Sequence, residues 1–248
     1  MCERCAAIAT QPARLARRSI FKLAAGAAAA AAGLTAGPQA FAAKHKAPPK
    51  PENVISPDAA LHRLMEGNAR YVRGETRRHD FHHEREALSK GQNPFAAVLS
   101  CADSRIAPEY CFDTARGDLF VCRVAGNFAS DEMVASLEYA VQVLNTPLIL
   151  VLGHEACGAV DATIKSVKDG TTLPGHLPSL VDAIRPAVEA VQNKPGDELA
   201  NAIRENVKLN VDKLKTTGPI LKSFVDDNKI RVVGGVYELR TGRLELLS

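Results

Sequence analysis

Two short apolar runs stand out in the hydrophobic pattern of this chain. Pro94–Ser100 and Pro147–Gly153 are rich in aliphatic residues and are bounded by proline or glycine. Uninterrupted runs of this kind predict β-strands that are buried on both faces. Leu119–Arg123 and Ile230–Tyr237 predict two further strands, and Leu239–Leu247 predicts a hairpin partner for the last of them.

Apolar residues at helical spacing fill the stretches between these runs. Ala59–Arg73 is one example, with an apolar stripe formed by Leu61, Leu64, Met65 and Val72. The alternation of strands and helices predicts an α/β fold with a small, mostly parallel sheet covered on both sides. The other predicted helices are Arg85–Gly91, Asp131–Leu144, Gly158–Val167, Leu177–Gln192, Gly196–Lys215 and Pro219–Asn228, with Pro108–Phe112 as a turn or short helix.

The N-terminal segment has the pattern of an export signal. The twin arginine Arg17-Arg18 precedes an Ala- and Gly-rich run, Leu23–Ala36, and Ala40–Ala42 has the small-x-small form of a cleavage site. A membrane span is the competing interpretation, but the run is short and rich in alanine. We therefore expect cleavage after Ala42, a mature chain in the periplasm and no stable membrane span.

This segment sets the domain organisation and corrects the charge. We expect a twin-arginine signal peptide over 1–42, a Pro- and Lys-rich linker over 43–57 and one catalytic domain over 58–248. The whole chain has 31 basic and 28 acidic residues. Five of the basic residues and one of the acidic residues lie in the predicted signal. The mature chain therefore carries 26 basic and 27 acidic residues, a net charge of −1, which gives no support for nucleic-acid binding.

The cysteines need the same correction. The C-x-x-C pair at Cys2 and Cys5 lies in the segment that would be removed. In an oxidising compartment Cys111 and Cys122 could form a disulfide, but buried free thiols are the favoured interpretation. The four cysteines of the mature chain are Cys101, Cys111, Cys122 and Cys157.

Metal-ligating side chains directly follow the two buried runs. Cys101 and Asp103 come after the first run, with Arg105 two residues further on, and His154 and Cys157 come after the second. The carboxyl ends of parallel strands are where α/β sheets place their sites, so two adjacent strands could bring these groups together. Two thiolates, one imidazole and one carboxylate are ligand types that zinc takes. Either motif alone is weak, but the two together predict a zinc site.

Three other stretches are weaker candidates. Gly158 opens the helix after Cys157, where backbone N–H groups could bind an anion. Val124–Asn127 is a turn of small residues after a predicted strand, and it is either an ordinary tight turn or a wall of the site. Arg77–His83 is rich in histidine and could bind metal or relay protons, but a solvated loop is the expected reading.

These motifs resemble those of the β-class carbonic anhydrases. The resemblance rests on Cys101–Ile106, Arg123–Asn127, and the stretch from Glu138 through His154 to Gly158, and it extends over roughly residues 56–248. It implies a zinc hydro-lyase that reversibly hydrates CO2 to bicarbonate and a proton. It also implies four parallel strands with one antiparallel edge strand, and a homodimer or dimer-based tetramer.

The resemblance further implies a role for each residue of the site. One Zn2+ per chain is held by Cys101, His154 and Cys157, and a zinc-bound hydroxide attacks CO2. Asp103 accepts a hydrogen bond from that hydroxide and is oriented by Arg105. In the family this aspartate can also become the fourth zinc ligand at lower pH, so activity is expected to rise with pH as Asp103 releases the metal.

Other functions use the same ligand set. A structural zinc site with Asp103 permanently bound is one, although two cysteines, a histidine and an aspartate are an unusual set for structural zinc. A related hydrolase acting on CS2 or COS is another. A thiol redox enzyme is disfavoured because no C-x-x-C remains in the mature chain.

Overall fold

The computed structural model describes residues 55–82 and 84–247. The predicted signal peptide, the predicted linker up to residue 54, and His83 of the histidine-rich segment lie outside the described residues. Nothing in the described ranges is both a long enough and an apolar enough helix to cross a membrane.

The sheet has the strands and the directions that were predicted. Within the described residues the strands are β1 Ala96–Ser100, β2 Leu119–Arg123, β3 Leu148–His154, β4 Arg231–Tyr237 and β5 Leu244–Leu247. They lie in the order β2-β1-β3-β4-β5, with the first four parallel and β5 antiparallel to β4. This arrangement confirms the expected α/β fold with an antiparallel edge strand.

The helices agree with the predicted ones except at their ends. Their bounds differ by a few residues, as expected where terminal backbone bonds fray. The described helices are α1 Pro57–Val72, α2 Glu84–Leu88, α3 Pro108–Cys111, α4 Asp131–Gln142, α5 Gly158–Asp169, α6 Pro178–Glu189, α7 Glu198–Thr216 and α8 Ile220–Asp226. The predicted hairpin is confirmed: the chain turns back between Glu238 and Arg243, whose backbones bond at 2.9 Å, and β5 is the part of Leu239–Leu247 that follows the turn.

The core explains why β1 and β3 lie at the centre of the sheet. All residues of both strands are buried. Successive side chains of a strand point to opposite faces, so each strand supplies two hydrophobic clusters. Ala97, Leu99, Ile149 and Val151 pack on the face that α4 to α8 cover. Ala96, Val98, Leu148 and Leu150 pack on the opposite face, against α1 and α3.

Candidate metal centre

Three predicted ligands converge at the carboxyl ends of β1 and β3. Ser100 pairs with Leu152 across these strands, so Cys101 and His154 lie at the same edge of the sheet. His154 is the last residue of β3, and Cys157 is the N-cap of α5. The ligand atoms of Cys101, His154 and Cys157 all lie within 4.8 Å of one another, and all three residues are buried.

The histidine ring is held in the form that a metal requires. His154 Nδ1 lies 2.8 Å from the carbonyl oxygen of Glu155, to which it can donate its proton. That bond leaves Nε2 with a free lone pair, and Nε2 is buried with no hydrogen-bond partner. A buried polar atom without a partner is costly unless a ligand satisfies it. With two thiols beside it, this nitrogen fits a zinc ion.

The two sulfur atoms are close enough to share a proton. Cys101 Sγ and Cys157 Sγ are 4.0 Å apart. The hydrogen bond with Cys157 is the largest cause that lowers the pKa of Cys101, to about 4, and the bond from the Gly126 N–H acts in the same direction against the effect of burial. The same contact with Cys101 raises the pKa of Cys157. A divalent ion bound here would hold both sulfurs as thiolates.

Asp103 pairs with Arg105 beside these ligands. Its Oδ1 accepts bonds from the Arg105 backbone N–H and Nε, both at 2.9 Å, and its Oδ2 accepts one from Nη2 at 2.6 Å. The Arg105 guanidinium is the largest cause that holds the pKa of Asp103 well below its usual range. Asp103 Oδ2 is also 3.8 Å from His154 Nε2. Of the two positions expected for this carboxylate, the structure therefore has the one paired with arginine, and its role as a metal ligand stays a prediction.

Comparison with known proteins finds relatives that align with most of this chain. A family model described as carbonic anhydrase matches residues 96–244. Carbonic anhydrase 2 of Mycobacterium tuberculosis is 36% identical over 192 residues, which are 77% of this chain and 93% of the relative. The solved structure of the β-carbonic anhydrase CcaA is 27% identical, with a TM-score of 0.58 over 76% of this chain and 95% of that one. This chain belongs to the β-carbonic anhydrases.

One further relative agrees with that assignment, and one further solved structure shares the fold. The carbonic anhydrase of Mycolicibacterium smegmatis is 36% identical over 78% of this chain and 94% of the relative. A tetrameric β-carbonic anhydrase of Sordaria macrospora has the same fold, with a TM-score of 0.62 at 24% identity over 77% of this chain and 98% of that one.

Sequence reasoning gave no role to Arg123, which holds the ligand loop of this β-carbonic anhydrase. Arg123 Nε donates to the carbonyl oxygen of Cys101 at 3.0 Å, and Nη2 donates to that of Asp103 at 2.7 Å. The position of Arg123 at the carboxyl end of β2, next to β1, is the signal that could have found it. The turn after it does form a wall of the site, because the Gly126 N–H donates to Cys101 Sγ at 3.3 Å.

The remaining candidates lie near or outside the centre. Gly158 is the first residue of α5, directly after Cys157, and its role in binding an anion stays a prediction. Cys111 and Cys122 are free and buried, which confirms the favoured interpretation. In the described part of the histidine-rich segment, only His79 is partly buried, which agrees with a solvated loop; the metal-ligand cluster found among the described residues does not include it.

Proposed function

We propose that this chain catalyses the reversible hydration of CO2 to bicarbonate and a proton at a zinc ion held by Cys101, His154 and Cys157. The observation that carries the proposal is the buried imidazole nitrogen without a partner, beside two thiols, in a member of this family. Bound zinc would supply a water acidified toward neutral pH.

The residues around that ion orient the reaction. Arg105 keeps Asp103 ionised and holds its Oδ2 toward the ligand cluster, 3.8 Å from His154 Nε2. A carboxylate fixed in this position can accept a hydrogen bond from the attacking water and so direct its lone pair. The Gly158 N–H, at the N-terminus of α5, is the proposed donor to the bicarbonate anion.

The alternatives gain no support from the relatives. The curated proteins cited above are named carbonic anhydrases, and none is named for CS2 or COS. A structural zinc site needs Asp103 as a fourth ligand, whereas Asp103 is bonded to Arg105.

The direct test is stopped-flow CO2 hydration by the purified mature chain with its zinc content measured. We expect fast hydration with about one zinc per chain, as the three-ligand site requires. Bound zinc without hydration of CO2 would contradict the proposed activity and turn attention to CS2, COS or a structural role.

We also propose export and self-association. The twin-arginine pattern of residues 1–42 supports transport to the periplasm, and the mass of the chain recovered from a periplasmic extract would test cleavage after Ala42. The homologous enzyme from Sordaria macrospora is tetrameric, which supports a homodimer or dimer-based tetramer here. Light scattering on the purified chain measures that state, and a monomer at catalytic concentrations would contradict it.

A further inference from the structure

A polar ladder on α7, with two buried asparagines, faces the turn that follows β2. Its members, Asn206, Asn210 and Lys213, are four and three residues apart and therefore share one face of the helix. Asn206 is 2% exposed and Asn210 is 7% exposed, in a stretch where Val207, Val211 and Leu214 are also buried. Burying a side-chain amide costs free energy unless it is hydrogen-bonded, and apolar side chains at these positions would pack the helix without that cost. The buried asparagines therefore call for an explanation in terms of their hydrogen bonds.

All three side chains of this ladder form hydrogen bonds to the backbone of the loop that follows β2. Asn206 Nδ2 donates to the carbonyl oxygen of Gly126 at 2.8 Å. Asn210 Nδ2 donates to the backbone oxygen of Asn206 at 2.7 Å and to its side-chain Oδ1 at 3.2 Å. Asn210 Oδ1 accepts from the Ala129 N–H at 2.7 Å. Lys213 Nζ donates to the carbonyl oxygen of Ala129 at 2.6 Å. The two asparagines thus hold Gly126 and Ala129 from opposite ends of the loop.

Gly126 is the residue of this loop that contacts the metal centre. Its N–H donates to Cys101 Sγ, and its carbonyl oxygen accepts the bond from Asn206. The backbone here has φ +85°, and a Cβ would lie 2.4 Å from Ile184 Cδ1, so only glycine fits without a shift. The N–H and the carbonyl of Gly126 belong to the two peptide groups that meet at its Cα, and the Asn127 N–H of this turn donates to the Val124 carbonyl oxygen at 3.0 Å. A bond to the Gly126 carbonyl oxygen limits rotation at this glycine and so helps to keep its N–H directed at the sulfur.

We propose that Asn206 is a positioning residue of the metal centre, which acts through the backbone of Gly126 on Cys101 Sγ and is itself held by Asn210. This inference rests on the proposed zinc function. Hydrogen bonds to the atoms that ligate a metal orient those ligands and adjust their bonds to the metal. Losing such a hydrogen bond typically lowers metal affinity by about 10- to 100-fold. An N–H bond to a thiolate also withdraws electron density from sulfur, which changes the sulfur–metal bond.

The test compares Asn206→Leu with Asn201→Leu in the mature chain. Asn201 lies on the same helix and makes the same kind of bond, from Nδ2 to the carbonyl oxygen of Pro195 at 3.1 Å, but Pro195 does not contact the metal centre. The metal-free proteins are titrated with Zn2+ against a chelator and, separately, loaded with Co2+. For Asn206→Leu we expect about 10- to 100-fold weaker zinc binding and a thiolate-to-cobalt absorption band at longer wavelength, with both readouts unchanged in Asn201→Leu.

Two further variants complete the design. Asn206→Asp has the shape of asparagine without its donor, and it replaces Asn206→Leu if that variant does not fold. Lys213→Met removes the hydrogen bond to the Ala129 carbonyl oxygen and leaves the bond to Gly126 intact. We therefore expect zinc affinity to change by less than about threefold, well below the loss typical of a hydrogen bond to a metal ligand. Wild-type affinity and an unchanged cobalt band in a folded Asn206 variant would overturn the inference, as would equal losses in Asn201→Leu. Absence of metal binding by the unmodified chain would instead overturn the proposed function together with it.

Discussion

Cys157→Ser is expected to abolish both zinc binding and catalysed CO2 hydration. Cys157 is 1% exposed at the start of α5, and its sulfur lies 4.0 Å from that of Cys101. A serine hydroxyl stays protonated at neutral pH and is a poor ligand for zinc, so the site keeps only two strong donors. We expect zinc content below a tenth of the wild-type value. Hydration should fall by more than about 100-fold, beyond the usual cost of changes outside the ligands.

Cys122→Ser is the matched control for this variant. Cys122 is also a buried, free cysteine, but it lies on β2 and is not part of the ligand cluster. Burial raises the pKa of Cys122, the opposite of what a metal-binding thiolate needs. We expect full zinc content and full hydration per folded molecule. Stoichiometric zinc with normal hydration in Cys157→Ser would remove the basis of the assigned site.

The centre of the fold could be predicted because its signals are local. β1 and β3 are continuous apolar runs, and the ligands Cys101, His154 and Cys157 follow those runs at once, so strand burial and site position come from the same stretches. The pairing of Asp103 with Arg105 also lies within three residues. The resemblance to a family supplied what local patterns do not carry, namely the roles of these residues.

The supports of the site could not be predicted because they join distant parts of the chain. Asn206 lies 80 residues after Gly126, and in a helical pattern a polar residue is ordinarily assigned to the exposed face. Here Asn206 and Asn210 are buried next to Val207 and Val211, since the partners of the asparagines are backbone groups of a loop and of the helix itself. The bond between His154 and the Glu155 carbonyl is local, but it depends on a backbone geometry that residue types do not specify.

Asp103→Asn is expected to slow CO2 hydration while leaving zinc in place. The amide has the shape of the carboxylate but no charge. It can therefore neither balance the Arg105 guanidinium nor present two acceptor oxygens to its three donors. Loss of one positioned acceptor for a reacting group typically costs about 10²- to 10⁴-fold, and we expect a fall in kcat/KM near the lower end. Zinc content should be unchanged because Cys101, His154 and Cys157 remain.

A second Asp–Arg pair provides the control that separates catalysis from stability. Asp113 Oδ2 accepts a bond from Arg70 Nε at 2.6 Å, and its side chain is 2% exposed, but the pair lies outside the ligand cluster. Asp113→Asn leaves a largely buried arginine without its counter-charge, which should lower the free energy of unfolding by about 3 kcal/mol. Its kcat/KM per folded molecule should stay at the wild-type value. The same substitution of aspartate by asparagine would then reduce turnover at the Asp103–Arg105 pair and stability at the Asp113–Arg70 pair. Zinc loss in Asp103→Asn, or full turnover with zinc bound, would show that Asp103 does not act as a positioned acceptor beside the metal.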